Sequence, residues 1–219
     1  MLEETKLMNA KKELVEYVTL VENMIEHSIK GLKEKDTQML TKVIEEDEPK
    51  ANELEIDMNE RCISLIARHQ PAGKALRTII MILNISNTLE RMADHAVTIC
   101  ESALFLIEKP PVKPLIDIPR MAQIVIEMLK NTFSAFVNED AELTQKVCLM
   151  DNTVDALRDQ IFRELITFMA SDPSTIERSL QLMKISSNLE RIADLSTNIC
   201  EDIVYIVKGK IIKHHFEEI

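Results

Sequence analysis

The sequence predicts an all-α protein built as two tandem, pseudo-symmetric three-helix bundles, with six long helices. Its 219 residues include only three glycines, no tryptophan and 4% aromatic residues, against 12 methionines. This composition favours helices over sheets. The segment Ile85–Glu101, ISNTLERMADHAVTICE, recurs as Ile185–Glu201, ISSNLERIADLSTNICE, with ten of seventeen positions identical. Such a repeat indicates two similar units that each need a neighbour to bury their apolar faces.

Charge and hydropathy disfavour several classes of partner. The formal net charge is −11 and no basic run stands out, so we expect no binding to nucleic acid or to an anionic membrane. No run of about 18 apolar residues occurs, so we expect no membrane insertion. A charged N-terminal segment and cysteines without a C-x-x-C pair predict a cytoplasmic protein with reduced thiols. Cys100 and Cys200 are expected to be small core residues.

The first unit contains three predicted helices. Apolar residues at steps of three and four predict a first helix over residues 3–32. Asp36 can cap a second helix that runs to about His69, and Pro49 inside it should bend that helix or remove a hydrogen bond. The third helix, about 74–108, has an apolar seam suited to packing in a left-handed bundle.

A proline-rich connector separates the two units. The segment Lys109–Pro119, KPPVKPLIDIP, contains four of the seven prolines and cannot continue a helix. Beyond it, helices are predicted over about 118–137, from Asp140 to about 170, and from Asp172–Pro173 onward. The predicted division is 1–109 for the first repeat, 110–117 for the connector, 118–208 for the second repeat and 209–219 for a C-terminal tail.

Acidic residues four positions apart follow the apolar seam of the third and sixth helices. Glu90 and Asp94 in the first repeat correspond to Glu190 and Asp194 in the second. Carboxylates at this spacing lie on one helix face and repel each other unless an opposing charge lies nearby. A solvated stripe with local arginine pairs would explain a single copy. Because both copies keep the acids while neighbouring positions differ, a cation site is the sharper hypothesis.

A further acid pair, on the fifth helix, extends this hypothesis. Asp151 and Asp155 repeat the four-residue spacing and would face the sixth helix, which makes the second site the stronger candidate. Asp47 matches Asp151, but the partner of Asp155 falls at Ala51 or, with one inserted residue, at Asn52. Oxygen ligands suit Mg²⁺, Mn²⁺ and Ca²⁺, and also iron or zinc. The candidate metal ligands are Glu90, Asp94, Asp151, Asp155, Glu190, Asp194 and Asp47, with Glu101, Glu201 and Asn52 as additional candidates.

No catalytic motif is evident, so the sequence predicts a protein that is not an enzyme. None of the five histidines sits in an E-x-x-H arrangement, and the sequence has no Gly-rich phosphate loop, G-x-S-x-G or H-E-x-x-H. His95 follows Asp94 but has no copy in the second repeat, where Leu195 stands. It is expected to be a surface or packing residue.

The doubled L-E-R-[MI]-A-D, preceded by I-S and followed by I-C-E, resembles the PhoU family of phosphate-uptake regulators. The duplicated three-helix units and the D-x-x-x-D of the fifth helix are also similar to that family, from about residue 10 to 208. The resemblance implies a cytoplasmic, all-helical protein, often a homodimer, that acts as a negative modulator of phosphate uptake and of the phosphate-starvation response. The implied partners are the ATPase subunit of the phosphate ABC transporter and a membrane sensor histidine kinase.

The resemblance also implies a cofactor. Some members carry multinuclear iron or zinc clusters on paired E(D)-x-x-x-D motifs, and manganese or magnesium would suit the same ligands. Here those motifs match Glu90–Asp94, Glu190–Asp194 and Asp151–Asp155, while Asp47 matches in part. Three hypotheses result: a metal-binding regulator, a metal-free helical adaptor whose acidic stripe docks a partner, and a carboxylate-bridged metalloenzyme, which the lack of E-x-x-H ligands disfavours.

Overall fold

Every regular element of the described chain is a helix, which confirms the predicted fold class. The structure is a computed structural model that describes residues 4–208; the predicted C-terminal tail, 209–219, lies outside these residues. The first half consists of α1 (Glu4–Glu34), α2 (Thr37–Lys42), a π-helical turn (Val43–Asp47), α3 (Glu48–His69) and α4 (Gly73–Ile107). The second half consists of α5 (Asp117–Asn138), α6 (Ala141–Ser171), a 3₁₀ turn (Pro173–Thr175) and α7 (Ile176–Lys208). Of the helices within 4–208, none is both long and apolar enough to cross a membrane.

Side-chain caps explain where two of the helices begin. Asp36 accepts a hydrogen bond from the Met39 backbone N–H at 3.0 Å, at the start of α2. Asp140 accepts from the backbone N–H groups of Glu142 and Leu143 at the start of α6. Each cap satisfies amide groups that have no partner within the first helical turn. Both predicted helix starts are confirmed.

The start of the last helix differs from the prediction. Asp172 accepts a hydrogen bond from the Ser174 N–H, as an N-cap does, but the next turn is 3₁₀ and α7 begins only at Ile176. The Thr175 N–H donates to the Asp172 carbonyl, the tighter bond typical of a 3₁₀ turn. The expected α-helix from Pro173 is therefore wrong by the three residues of this turn.

The predicted second helix is interrupted just before Pro49. Residues Val43–Asp47 form a π-helical turn, closed by a hydrogen bond from the Glu48 N–H to the Val43 carbonyl. Pro49 then lies in the first turn of α3, where its missing N–H costs little. The predicted irregularity at Pro49 is confirmed, and it takes the form of a widened turn instead of a bend.

The π turn acts as one extra residue in the first half. In a π turn the backbone hydrogen bond spans one residue more than in an α turn. One residue of the turn therefore has no counterpart in the second half, and the pairing of the two halves shifts by one residue after it. Past the turn, Ala51 and Val154 are both buried and occupy matching places in α3 and α6. Asn52, and not Ala51, therefore corresponds to Asp155.

Helices α4 and α7 form the centre of the molecule. They pack against each other, and each packs on the other long helices of its own half, while α1 and α5 join the halves a second time. Cys100 and Cys200 are buried here, as predicted. The buried seam residues of the two central helices are Ile82, Ile85, Leu89, Met92, Ala96, Ile99 and Ala103 in α4, and Leu182, Ile185, Leu189, Ile192, Ser196, Ile199 and Ile203 in α7.

One polar contact in the centre links the two halves. His95 Nδ1 lies 2.8 Å from Asn188 Oδ1. The Asn188 amide nitrogen donates to the Lys184 carbonyl at 2.7 Å, so the amide oxygen faces the ring and the His95 Nδ1–H is the donor. Burial lowers the pKa of His95, and the bond to Asn188 opposes that shift. His95 is a packing residue, as the sequence predicted.

Candidate metal centres

The second half brings four of the predicted acids together, and we call them the second acidic site. Asp151 and Asp155 on α6 lie near Glu190 and Asp194 on α7. Burial, together with the charges of Asp194, Asp155 and Glu190, raises the pKa of Asp151 to about 6. Loss of hydration and the charge of Asp155 also raise the pKa of Asp194. Carboxylates that raise each other's proton affinity create a negative potential that a cation would relieve.

Two features of the second acidic site act on cation binding in opposite directions. The buried Oδ1 oxygen of Asp151 has no hydrogen-bond partner in the described part of the chain, which favours a cation. Arg158, also on α6, donates from Nη1 to Glu190 Oε1 at 2.8 Å and from Nη2 to Asp159. Burial and Asp194 raise the pKa of Glu190, and the guanidinium opposes them. Arg158 therefore already neutralises part of the site.

The first half builds a comparable cluster from a partly different set of acids, the first acidic site. Glu90 and Asp94 on α4 lie near Glu48 and Glu55 on α3. Burial raises the pKa of Glu90, and the charges of Asp94, Glu55 and Glu48 raise it further, against the opposing Arg91. The first site therefore also gathers four carboxylates at a helix–helix boundary.

Amide side chains contact the α3 acids of the first acidic site. Asn52 Nδ2 donates to Glu48 Oε1 at 2.7 Å. Asn59 Nδ2 donates to Glu55 Oε1 at 2.8 Å and to Asn87 Oδ1 at 3.3 Å. The Asn59 Oδ1 oxygen is buried and has no hydrogen-bond partner within residues 4–208. The additional candidate Asn52 thus contacts this site through its hydrogen bond to Glu48.

Sequence reasoning misses Glu48 and Glu55. The extra residue of the π turn brings Glu48 into the place of Asp151 and Glu55 into the place of Arg158. When the two halves are aligned by their acidic residues, Asp47 is paired with Asp151 instead, because each lies the same number of residues after its helix cap. Aligning the apolar positions of α3 with those of α6 would have found both glutamates.

Asp47 lies within the π turn and is not among the carboxylates whose charges raise the pKa of Glu90. It is 6% exposed and lies 3.7 Å from Lys50. Burial raises the pKa of the Cys100 thiol to about 12, with contributions from the charges of Glu101 and Asp47. Asp47 therefore extends the acidic stripe of the first half toward the end of α4.

The additional candidates Glu101 and Glu201 lie beyond the two clusters along α4 and α7. Glu101 is exposed and lies 3.9 Å from the Lys184 ammonium. Glu201 is half-buried, and its charge, like that of Asp151, acts on the Cys148 thiol. Neither glutamate is among the carboxylates whose charges raise the pKa values of the clustered acids.

The donor chemistry of both clusters fits a hard metal ion. The side chains offer carboxylate and amide oxygens, which are the ligands that such ions prefer. The unpartnered Oδ1 of Asp151 and the unpartnered Oδ1 of Asn59 are buried acceptors of the right kind. Within residues 4–208, no three His, Cys, Asp or Glu side chains are already arranged to hold an ion. Binding would therefore require these side chains to rearrange.

Fold and sites together define a class of protein, all-helical and duplicated, with a cluster of carboxylates in each half. The PhoU domain family matches the chain twice, over residues 14–103 and 118–203. The chain belongs to the PhoU family, as its repeated motif predicted.

Similar proteins cover nearly the whole chain. The phosphate-specific transport system accessory protein PhoU homolog of Aquifex aeolicus is 38% identical over 214 residues, 97% of this chain and 96% of that protein. PhoU homolog 2 of Thermotoga maritima is 34% identical and covers 98% of this chain and 91% of its own length. The crystal structure of PhoU from Pseudomonas aeruginosa has a TM-score of 0.89 at 31% identity, over 94% of this chain and 99% of that one.

Proposed function

We propose that this chain is a regulator of phosphate transport, without enzymatic activity of its own, that restrains phosphate uptake and the phosphate-starvation response. The observation that carries the proposal is its full-length likeness to proteins named as accessory proteins of phosphate-specific transport systems. The sequence also lacks the common hydrolase and nucleotide-binding motifs, which supports a regulatory role over a catalytic one.

The proposed partners are the ATPase subunit of a phosphate ABC transporter and a membrane sensor histidine kinase, both reached from the cytoplasm. We propose that the protein acts as a homodimer. Its net charge of −11 supports partners that are proteins over partners that are nucleic acids.

Both acidic sites are proposed to hold metal ions, as multinuclear iron or zinc, or as manganese or magnesium. The second site would be held by Asp151, Asp155, Glu190 and Asp194. The first would be held by Glu48, Glu55, Glu90 and Asp94, with Asp47 and Asn52 at its edge, while Glu101 and Glu201 stay additional candidates. Bound cations would neutralise the mutually repelling carboxylates and connect α3 to α4 and α6 to α7.

Elemental analysis of the purified full chain, combined with thermal unfolding before and after chelation, tests the metal part. We expect bound transition metal and a melting temperature that falls on chelation and recovers with added Fe, Mn or Zn. Asp151→Asn combined with Asp194→Asn should lower the metal content, whereas Glu53→Gln, a change at an exposed acid of α3, should not. If the purified protein contains no metal, and its melting temperature does not change when these ions are added, the proposal is contradicted.

Recovery of partners from phosphate-replete cells tests the regulatory role. We expect the tagged full chain to retain the transporter ATPase, and loss of the protein to raise phosphate uptake under the same conditions. If uptake is unchanged and no transporter subunit is retained, the regulatory role is wrong, whatever the metal content.

The hydrogen bond from Arg158 to Glu190 favours a second candidate, a metal-free helical adaptor with an acidic docking face. In that case the wild-type protein contains no metal, while Glu190→Gln combined with Asp194→Asn weakens partner binding. The carboxylate-bridged metalloenzyme would instead require metal-dependent turnover of oxygen or phosphate esters that Asp194→Ala abolishes.

A further inference from the structure

A groove runs between α1 and α3 in the first half of the molecule, and we call it the α1–α3 groove. It has a volume of about 630 Å³. Its apolar lining comes from α3, where Met58 and Leu65 are buried and Leu54 is half-buried. Its charged lining consists of four acids and one arginine, namely Glu13, Glu16, Asp57, Glu60 and Arg61. The groove therefore combines an apolar surface with a strong excess of negative charge.

Most of that negative charge has no counter-ion within residues 4–208. The Arg61 guanidinium binds the Glu13 carboxylate and so joins α3 to α1 across the groove. Glu16, Asp57 and Glu60 are exposed and form no ion pair within the same residues. Carboxylates gathered on two facing helices repel each other, and a cation among them would relieve that repulsion.

The second half has a lysine at the corresponding place between α5 and α6. Counting from the helix caps matches Glu13 with Asp117, and the pairing of α3 with α6 after the π turn matches Arg61 with Glu164. The Lys113 ammonium lies 2.6 Å from Asp117 Oδ2 and also binds Glu164. Its side chain is only 11% exposed. A lysine from the proline-rich connector, an extended segment, thus joins α5 to α6.

The first half has no connector at this place. Helix α1 begins at Glu4 and continues as a helix through the positions that match the connector. Two positions also differ in charge, since Glu16 and Glu60 correspond to Arg120 and Arg163 in the second half. The α1–α3 groove is therefore more acidic than its counterpart, and no extended segment of residues 4–208 supplies a lysine to it.

We propose that the α1–α3 groove is a docking site for an extended, basic segment of a partner protein. A lysine or arginine of that segment would lie among Glu16, Asp57 and Glu60, as Lys113 lies between α5 and α6. An apolar residue beside it would cover the apolar lining. The inference rests on the proposed function in one respect, that the chain acts through partner proteins. It does not depend on metal at either acidic site.

Fluorescence anisotropy of a labelled peptide, titrated with the full chain at low ionic strength, tests the groove. The probe is a capped peptide that copies residues 109–116, KPPVKPLI, and its control has glutamate at both lysine positions. We expect saturable binding of the lysine peptide only. Glu16→Gln combined with Glu60→Gln should weaken this binding by about tenfold. Glu26→Gln combined with Glu142→Gln makes the same charge change at exposed acids outside the groove and should leave the affinity nearly unchanged.

Two further measurements locate the peptide and exclude unfolding. A photo-crosslinking group on the lysine peptide should label fragments of α1 and α3. The variant with glutamine at positions 16 and 60 should melt no lower than the wild type, because both acids are exposed and unpaired. If the lysine peptide does not bind, binds this variant as tightly as the wild type, or labels other helices, the groove assignment is wrong.

The same peptide experiment, set beside partner recovery, separates the groove from the regulatory role. If the peptide does not bind while the wild type retains the transporter ATPase, the groove is wrong and the regulatory role stands. If the peptide binds in the groove but no transporter subunit is retained and phosphate uptake is unchanged, the groove stands and the regulatory role is wrong.

Discussion

At the scale of single residues, the pKa of Asp151 reports the repulsion within the second acidic site. Burial and the charges of Asp194, Asp155 and Glu190 raise it from 3.8 to about 6. A carboxyl whose folded-state pKa is raised stabilises the fold below the unfolded-state pKa. That contribution is lost as the pH rises through the folded-state pKa. The free energy of unfolding of the metal-free protein should therefore fall as the pH rises from about 4 to about 6.

Replacing Asp151 by asparagine should remove this loss. At pH 7 we expect metal-free Asp151→Asn to be more stable than the wild type by about 1 to 2 kcal/mol, after discounting for partial exposure. At pH 4 the difference should disappear, because the wild-type carboxyl is then largely protonated in the fold. Urea unfolding at both pH values, on protein whose metal has been removed with a chelator, measures this difference in stability. Equal stability of the two proteins at pH 7 would show that Asp151 is not under electrostatic strain.

Arg158 is expected to compete with cations for Glu190. Its guanidinium donates to Glu190 Oε1 at 2.8 Å and so occupies a ligand oxygen of the second acidic site. Arg158→Gln should tighten divalent-cation binding at that site by about tenfold, on the order of 1.4 kcal/mol. Calorimetric titration with Mn²⁺ measures the change. Arg163→Gln removes the same charge from an exposed position of α6 and should change the affinity less; unaltered or weaker binding in Arg158→Gln contradicts the prediction.

At the scale of helices, the π turn sets the register of α3 against α4. Leu40 before the turn and Ala51 after it are both buried, so the widened turn absorbs the extra residue and keeps one face of the helix on the core. If the same residues instead formed a regular α-helix, every later side chain would rotate by about 100° about the helix axis. The turn therefore decides which acids of α3 reach the first acidic site.

Deleting one residue of the π turn should convert this helix to the regular form of α6. We expect Pro49→Ala with deletion of Glu45 to keep the helical content and the melting temperature of the parent, because the core face stays in register on both sides. Deletion of Glu53, beyond the turn, should take Met58 and Cys62 out of the core and cost several kcal/mol. Circular dichroism and thermal unfolding compare the two. Similar losses in both deletions would show that the π turn is not a simple one-residue insertion.

At the scale of the whole molecule, the contact between α4 and α7 unites two halves that differ in polarity at one place. His95 and Asn188 form a hydrogen bond there, whereas the corresponding residues of the opposite halves are Leu195 and Thr88. The polar pair is therefore present on only one side of the pseudo-symmetric centre. It makes the two sides of an interface with a mainly apolar seam different from each other.

A double-mutant cycle tests the contribution of this pair. Asn188→Thr alone should leave the Nδ1–H of the half-buried His95 without its acceptor and cost about 1 to 3 kcal/mol. His95→Leu combined with Asn188→Thr reproduces the pair of the other side and should recover much of that loss. Urea unfolding of the full chain measures all variants. Additive losses in the double variant would mean that the hydrogen bond carries no coupling energy between the halves.

Much of the architecture was predictable because its causes are local. The caps at Asp36 and Asp140 need only neighbouring amides, and the apolar period of α4 and α7 needs only the helical repeat. The membership of the first acidic site was not predictable in the same way. Glu48 and Glu55 enter it because α3 must keep its apolar face on α4, and this requirement acts between helices.

The amino-acid sequence alone establishes a duplicated helical chain and the acid pairs Glu90–Asp94 and Glu190–Asp194. Repeats and residue spacing can be read directly from a single sequence. Packing between helices establishes which carboxylates from α3 and α6 meet those pairs, and that Arg158 enters one of the two clusters. These contacts join residues far apart in the chain. They depend on helix register, which burial of the apolar faces controls.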